Sequence, residues 1–424
     1  MRLRGSVAID LGTVNTLVWV AGRGIVVEEP SAIAIDTTAG SVAAVGSAAD
    51  ALADKEPQGI EVLHPLRDGV IADLDATAAM LHAFLRKARR HFGPRRPRAL
   101  VCVPAGATEV ERRSVIAALS VRRPRYSVQL IDEPVAAAAG AGFDLSGGAG
   151  GFVVDIGGGT TEVAVVAGWR VARAASLRKA GNAMDEAILS MARNELGLIL
   201  SQRAARELKM TLGVAGGEPA EIVGIDVATR TPRTEKVHGY LVADAIEPVV
   251  TAIINQILQI LSEIPAGLAE DVVRGKIRLA GGGALLPGLA SRIETVAGIG
   301  TVVAEDPLRC VVRGAAEILN RKDNPGPAPR QWLKLAVALA ILEDGQDVAG
   351  RVLEPGDVRA AAAVDPPRIL CHAVVALELD AAAAQFVDGG LDVVYREVED
   401  RVGRGDVVLP GVDQRVALAR KMQR

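Results

Sequence analysis

Histidine and cysteine are scarce in this chain. The five histidines, His64, His82, His91, His238 and His372, are scattered, so no histidine-based metal or nucleophile site is supported. The three cysteines, Cys102, Cys310 and Cys371, lie far apart without metal-ligand spacing, which predicts reduced, structural thiols and a cytoplasmic setting. Excess charge is also lacking: 48 basic residues stand against 51 acidic ones, so no bulk attraction to nucleic acid is expected. The opening Met1-Arg2-Leu3-Arg4-Gly5 runs straight into a strand-like stretch without the apolar core and cleavage site of a signal peptide, and export is not expected. The longest uncharged apolar run in the C-terminal part, residues 335–342, is far shorter than the roughly 20 residues of a membrane-spanning helix. Any membrane contact should therefore be peripheral.

What is present is a long chain, 424 residues at 50% hydrophobic content, enough to fill real cores in several lobes. Its clearest feature is an internal echo. Ser6-Val7-Ala8-Ile9-Asp10-Leu11-Gly12-Thr13 recurs in form as Phe152-Val153-Val154-Asp155-Ile156-Gly157-Gly158-Gly159-Thr160. Each apolar run ends in Asp and Gly and is followed by a second β-type run, so each reads as a hairpin with a tight glycine turn. Two similar α/β lobes are the economical explanation.

Around these hairpins the spacing predicts a helix over 74–92, a strand over 99–103, a strand over 127–131, and an Ala-rich helix over 135–141 entered through Glu133-Pro134. Further helices are predicted over 183–196, 204–212 and 244–264, the last with Pro248 in its first turn. A strand is predicted over 221–228 and another over 277–280, the latter running into Gly281-Gly282-Gly283 and a helix from about Ala284. Asn324-Pro325-Gly326-Pro327-Ala328-Pro329 has the composition of a linker. The segment beyond it therefore reads as a separate unit.

A glycine turn between strands exposes backbone N–H groups, and such a nest binds phosphate oxygens. Thr13, Asn15, Thr160 and Thr161 can add side-chain hydrogen bonds. Asp10 and Asp155 would face the same phosphates, which is repulsive unless a hard cation lies between; Mg²⁺ held largely through water fits. One such loop can be no more than a tight hairpin, whereas the matched pair points to phosphate binding. The third glycine run could turn helix N–H groups toward a nucleotide, or could be only a close-packing turn. Hydrolysis of a terminal phosphate needs a polar group that orients water, and Glu133 is the best candidate, with Asp132 beside it as a substitute. Glu133 could equally be a carboxylate favoured by the helix dipole. Residues 86–98 are strongly basic around Phe92, so Phe92, Arg95 and Arg96 could meet anionic lipid, or could simply complement a helix C-terminus.

These stretches occur in an order that resembles the bacterial actin homologues of the MreB/Mbl family over residues 6 to about 322. The resemblance is carried by Ile9-Asp10-Leu11-Gly12-Thr13-Val14-Asn15, Glu29-Pro30-Ser31, Asp68-Gly69-Val70, Val101-Cys102-Val103-Pro104, Asp132-Glu133-Pro134, the run from Asp155 to Glu162, and Ala280 to Leu286. It implies an α/β, actin-like ATPase fold of two duplicated lobes and their subdomains: one of about 1–138 with 309–324, the other of about 139–308. A linker at 325–330 and a small C-terminal module at 331–424, which resembles nothing specific, would follow.

By the same resemblance, Thr13, Val14 and Asn15 form a first phosphate loop and Gly158, Gly159 and Thr160 a second. Gly282, Gly283, Ala284 and Leu285 border the adenosine, with Arg206 and Lys209 near it. Glu133 and Thr160 position the attacking water. Departures occur at Arg206, Thr211 and Asn182, where relatives carry other residues. The resemblance implies ATP and Mg²⁺ as cofactors and ATP-dependent filaments at the inner face of the cytoplasmic membrane that organise wall growth. Its implied partners are further copies of the chain, the membrane surface and membrane-spanning cell-shape proteins. A non-hydrolysing nucleotide-binding scaffold that recruits partners through the C-terminal module is the alternative. A chaperone is disfavoured because no long peptide-binding β domain is apparent.

Overall fold

Strands buried on both faces read as unbroken apolar runs, and this chain has two of them at the centre of its architecture. Ser6–Leu11 and Gly150–Ile156 are buried along nearly their whole length. Each turns back into an antiparallel partner, Asn15–Val20 and Thr161–Ala167, and then into a third strand, Gly24–Pro30 and Arg170–Leu177. On the other side each takes parallel neighbours: Arg98–Val103 and then Ser127–Asp132 in one case, Ile277–Ala280 and then Thr301–Val303 in the other. The result is a pair of five-stranded sheets with the same strand order and the same mixture of parallel and antiparallel pairing. The internal echo is thus a duplicated α/β lobe.

The computed structural model describes residues 6–55, 57–89, 97–120 and 126–321. The chain divides into two units, Met1–Ala328 and Pro329–Arg424, and every described residue belongs to the first. The linker and C-terminal module expected from the sequence, along with Phe92, Arg95 and Arg96, lie outside the described residues.

Helices Glu133–Gly140 and Cys310–Asn320 are sandwiched between the two sheets. Their core includes Ala8, Leu100 and Cys102 from the first sheet and Val153, Ala164 and Ala280 from the second. A separate core lies on the far face of the second sheet, where Phe152, Val154 and Ile156 pack against helices Gly181–Glu195 and Gly239–Ser262. Each lobe also carries a small three-stranded sheet: Ile33–Asp36, Ser41–Val45 and Ile60–Leu63 on the first, and Leu198–Ile199, Ala220–Asp226 and Pro232–Val237 on the second.

Three local expectations are corrected. The long helix starts at Gly239, not 244, so Pro248 sits in its interior, where the ring removes one backbone donor. This helix is long and apolar enough to cross a membrane, but Val242, Ile246, Val250, Ile253 and Ile257 of its apolar face are buried in the core. The helix expected from Ala284 is only a short 3₁₀ turn, Gly282–Leu285; Pro287 and the left-handed Gly288 delay the α-helix to Leu289–Ala297. The Ala-rich helix begins at Glu133 itself, with Pro134 in its first turn.

Candidate functional site

The two glycine turns are built alike. In the first, the Gly12 amide donates to the Asn15 carbonyl at 3.1 Å; in the second, the Gly157 amide donates to the Thr160 carbonyl at 2.9 Å. Each is braced from behind by a hydroxyl. Ser31 donates to the Gly12 carbonyl at 2.6 Å and lies 2.8 Å from the Thr16 hydroxyl, while Thr161 donates to the Lys179 carbonyl at 2.9 Å. Such turns present backbone N–H groups in a fixed array, which suits an anion without reorganisation on binding.

The loops meet each other. A β-carbon at Gly158 would strike the Val14 side chain, and one at Gly159 would lie 3.0 Å from the Asp68 backbone and also crowd the Thr13 hydroxyl. Thr13 accepts a hydrogen bond from the Gly69 amide at 2.9 Å, so the turn at Asp68 and Gly69, both at positive φ, closes over the pair. A β-carbon on Gly69 would lie 2.9 Å from the Thr160 methyl group and 3.0 Å from the Pro104 ring. The structure therefore brings together Thr13, Val14, Gly158, Gly159 and Thr160; Asn15, at the end of the first turn, is exposed. Asp68 and Gly69 entered the sequence reading only as part of the family resemblance, with no role assigned to them.

Four carboxylates converge behind these loops. Asp10 and Asp155 occupy corresponding places, one residue before the last of their strands. Burial pushes Asp10 up to about 7. Burial, then Asp10, then Glu162, push Asp155 up to about 8. Glu133 is raised well above the usual carboxylate range by burial and by the charges of Asp155, Asp10 and Glu162. A carboxylate merely capping a helix dipole would be lowered, so burial, with the facing acids added to it, outweighs the dipole. Asp132, the substitute, is engaged elsewhere: it pairs with Arg112 at 2.6 Å.

Among the described residues, no three acidic, histidine or cysteine side chains come close enough to cage a metal ion. Buried carboxylates whose charges raise one another nonetheless fit Mg²⁺ held mostly through water and phosphate oxygens. Asp10 and Asp155 are the residues that would hold it, and the ion would offset phosphate charge.

The third glycine run divides its labour. Gly281 is at φ 76°, and a β-carbon there would strike the Asp155 carboxylate and the Ile156 carbonyl. Gly283 is pressed on the Ile156 side chain, while Gly282 has only a Leu308 methyl at 3.4 Å. Gly281 and Gly283 are thus needed by the fold, and the openness of Gly282 leaves its face to an incoming group. Ala284 is buried, whereas Leu285 is 50% exposed and Leu308, near Gly282, is 48% exposed.

On the opposite wall, helix Gly181–Glu195 starts against the second loop, with the amides of Gly181 and Asn182 donating to the Gly157 and Gly158 carbonyls at 3.1 and 2.8 Å. The Lys209 ammonium donates to the Gly181 carbonyl at 2.9 Å and pairs with Asp185 at 2.7 Å. Burial lowers the Lys209 pKa, with Asp185 pulling it back. Asp185, 2% exposed, also lies 3.7 Å from the Arg206 guanidinium. Lys209 and Arg206 are therefore tied to a buried acid that the sequence had not marked, and Lys209 reaches the second loop through Gly181.

Comparison with known proteins places these features in a family. A profile described as MreB/Mbl protein matches residues 4–326. The cell shape-determining protein MreB of Escherichia coli (strain K12) is 42% identical over 328 residues, covering 75% of this chain and 94% of that protein. The crystal structure of MreB5 of Spiroplasma citri bound to ADP superposes with a TM-score of 0.70 at 29% identity, covering 76% of this chain and 97% of that one. Its AMPPNP-bound counterpart gives 0.69 at 27% identity, covering 81% and 99%.

Proposed function

This chain belongs to the MreB/Mbl family, and we propose that it is an actin-like cytoskeletal ATPase whose filaments, controlled by the bound nucleotide, lie at the inner face of the cytoplasmic membrane and organise cell shape and wall synthesis. The observation that carries the reading is the pair of matched, braced turns with Asp10, Asp155 and Glu133 gathered behind them. Backbone amides of the two turns take the phosphates, and the openness at Gly282 and Leu285 receives the adenosine. Glu133 and Thr160 orient the attacking water; positioning and charge neutralisation suffice for phosphoryl transfer to water. The nucleotide-bound Spiroplasma citri relatives support ATP as the ligand. Peripheral membrane contact through Phe92, Arg95 and Arg96, and contact with membrane-spanning cell-shape proteins, belong to the same proposal.

The test is phosphate release by the full chain together with electron microscopy in ATP, ADP and no nucleotide. ATP-dependent ordered filaments with phosphate release are expected. Tight ATP binding without release at any protein concentration would favour the non-hydrolysing scaffold. The engagement of Lys209 and Arg206 with Asp185 gives that second reading its footing, since it limits what they can offer the adenosine.

A further inference from the structure

Glu162 follows the second phosphate loop and is 1% exposed, yet the hydrolytic reading does not use it. It sits directly opposite Asp155 on one neighbouring strand and opposite Ser176 on the other. One of its oxygens accepts a hydrogen bond from the Ala105 amide at 3.1 Å, and the Ser176 hydroxyl is its other polar neighbour. A carboxylate buried so fully is destabilising unless it is well paired, so its retention calls for a reason. Burial raises its pKa, with the Ser176 hydroxyl and Ala105 amide pulling it back.

The contact spans the two lobes. Ala105 lies just beyond strand Arg98–Val103 of the first sheet, whereas Glu162 lies on strand Thr161–Ala167 of the second. Two further contacts run along the same seam. A β-carbon on Gly106 would lie 3.0 Å from the Ser176 β-carbon, and Glu111 pairs with Arg178 at 3.0 Å. The Glu111–Arg178 pair is largely exposed on its arginine side and contributes little. The part-buried Ala105–Glu162 bond is the firm point of the seam.

The seam reaches the site through Pro104 and Gly69. Pro104, next to Ala105, is pressed on Gly69, which is pressed on Thr160 and donates to Thr13. We infer that Glu162 is a positioning residue for hydrolysis: by holding residues 104–106 of the first lobe to the strand that leaves the second phosphate loop, it keeps Gly69 closed over Thr13 and Thr160. Glu162 touches neither phosphate nor water; it acts through Ala105, Pro104 and Gly69. The inference rests on the ATPase reading above.

Full-length Glu162→Ala and Glu162→Gln separate the bond from the charge, because glutamine still offers an oxygen to the Ala105 amide. In Glu162→Ala, hydrogen exchange at the Ala105 amide should speed up by about 10-fold or more as the local closure is lost. Phosphate release at saturating ATP should fall by about 10- to 100-fold, as expected when a misplaced support loosens a reacting geometry, while ATP affinity stays within about 3-fold. Glu162→Gln should restore protection and release to within about 3-fold of wild type, on the same geometric argument. Gly106→Val, an exposed substitution that wedges the seam against Ser176, should reproduce the alanine variant without touching Glu162.

Unchanged exchange at Ala105 in Glu162→Ala would overturn the inference. So would parallel losses of ATP affinity and release, or unchanged release when protection is lost. Wild-type protein that binds ATP and never releases phosphate would overturn the enzymatic reading and the inference with it. That failure is recognisable because Ala105 exchange would still respond to Glu162→Ala.

Discussion

Gly140 and Gly314 meet where helices Glu133–Gly140 and Cys310–Asn320 cross between the sheets, and neither position has room for a β-carbon. One at 314 would fall on the Ala136 carbonyl and 2.6 Å from the Gly140 nitrogen; one at 140 would fall on the Cys310 carbonyl. The Cys310 thiol donates to the Ala137 carbonyl at 3.3 Å in the same crossing. The helix that begins with Glu133 is thereby seated by backbone-to-backbone packing between the lobes. Gly314→Ala should cost about 1–3 kcal/mol through overpacking, read as a lower urea midpoint at an unchanged slope.

Glu133→Gln keeps the size of the side chain and removes its carboxylate. Phosphate release should fall by about 100-fold or more, the usual scale for losing a water-orienting acid or base, with little change in ATP affinity. Asp132→Asn should have a much smaller effect on release, because Asp132 is committed to Arg112. Single-turnover release beside equilibrium ATP binding distinguishes the two variants.

The acid cluster makes stability depend on pH in a defined direction. Asp10 and Asp155 titrate at about 7 and about 8 in the folded chain, above the ordinary value of 3.8 expected on unfolding, so the folded state holds protons that the unfolded state has released. Stability without a divalent cation is therefore fully present below the unfolded pKa and declines as pH rises through the folded values. Mg²⁺ with ATP favours the ionised acids and should remove that decline, giving a larger rise in melting temperature at pH 8 than at pH 6. Melting curves across this window, with and without Mg²⁺ and ATP, check the sign.

Gly281 and Gly282 should behave differently under the same substitution. Gly281→Ala forces a β-carbon into the Asp155 carboxylate at φ 76°, and should lower both stability and ATP binding. Gly282→Ala meets only ordinary contact with Leu308, so its melting temperature should stay near wild type. If adenosine approaches this face, ATP affinity in Gly282→Ala should drop by about 10-fold, the cost of roughly one misplaced contact. Fluorescent-nucleotide titration beside melting curves separates the two.

Membrane contact is tested on anionic vesicles with the full chain. Phe92→Ser combined with Arg95→Ala and Arg96→Ala should weaken binding strongly, since an apolar insertion and two surface cations are removed together. Unchanged sedimentation with vesicles would remove these three residues from the proposal.

Much of the paired-turn geometry was legible in the sequence because it is local. The Gly12–Asn15 and Gly157–Thr160 turns close within four residues, and an apolar run ending in Asp and Gly specifies them without help from the rest of the chain. The Ala-rich helix entered through Glu133-Pro134 was legible for the same reason, although it starts two residues earlier than expected, with Pro134 in its first turn. The register of Pro248 was not, because the helix start at Gly239 precedes the segment where its apolar period is strongest. The short turn at Gly282–Leu285 was missed because Pro287 and Gly288 act a few residues beyond the glycine signal.

By itself, then, the sequence determined the duplicated hairpins, the acids placed before their turns and the helix carrying Glu133, all set by hydrogen bonds and periodicities a few residues long. Tertiary structure alone decided that Gly69 closes on Thr13, that Lys209 is tied to Asp185, that Asp132 is taken by Arg112, and that Ala105 is held by Glu162. Those partners are remote in the chain, 57 residues apart for Ala105 and Glu162, and an amide or a buried acid carries no local pattern that names its partner. The paired Asp-Gly turns could be read from residues; the seam that holds them together is settled by which surfaces the two sheets bring into contact.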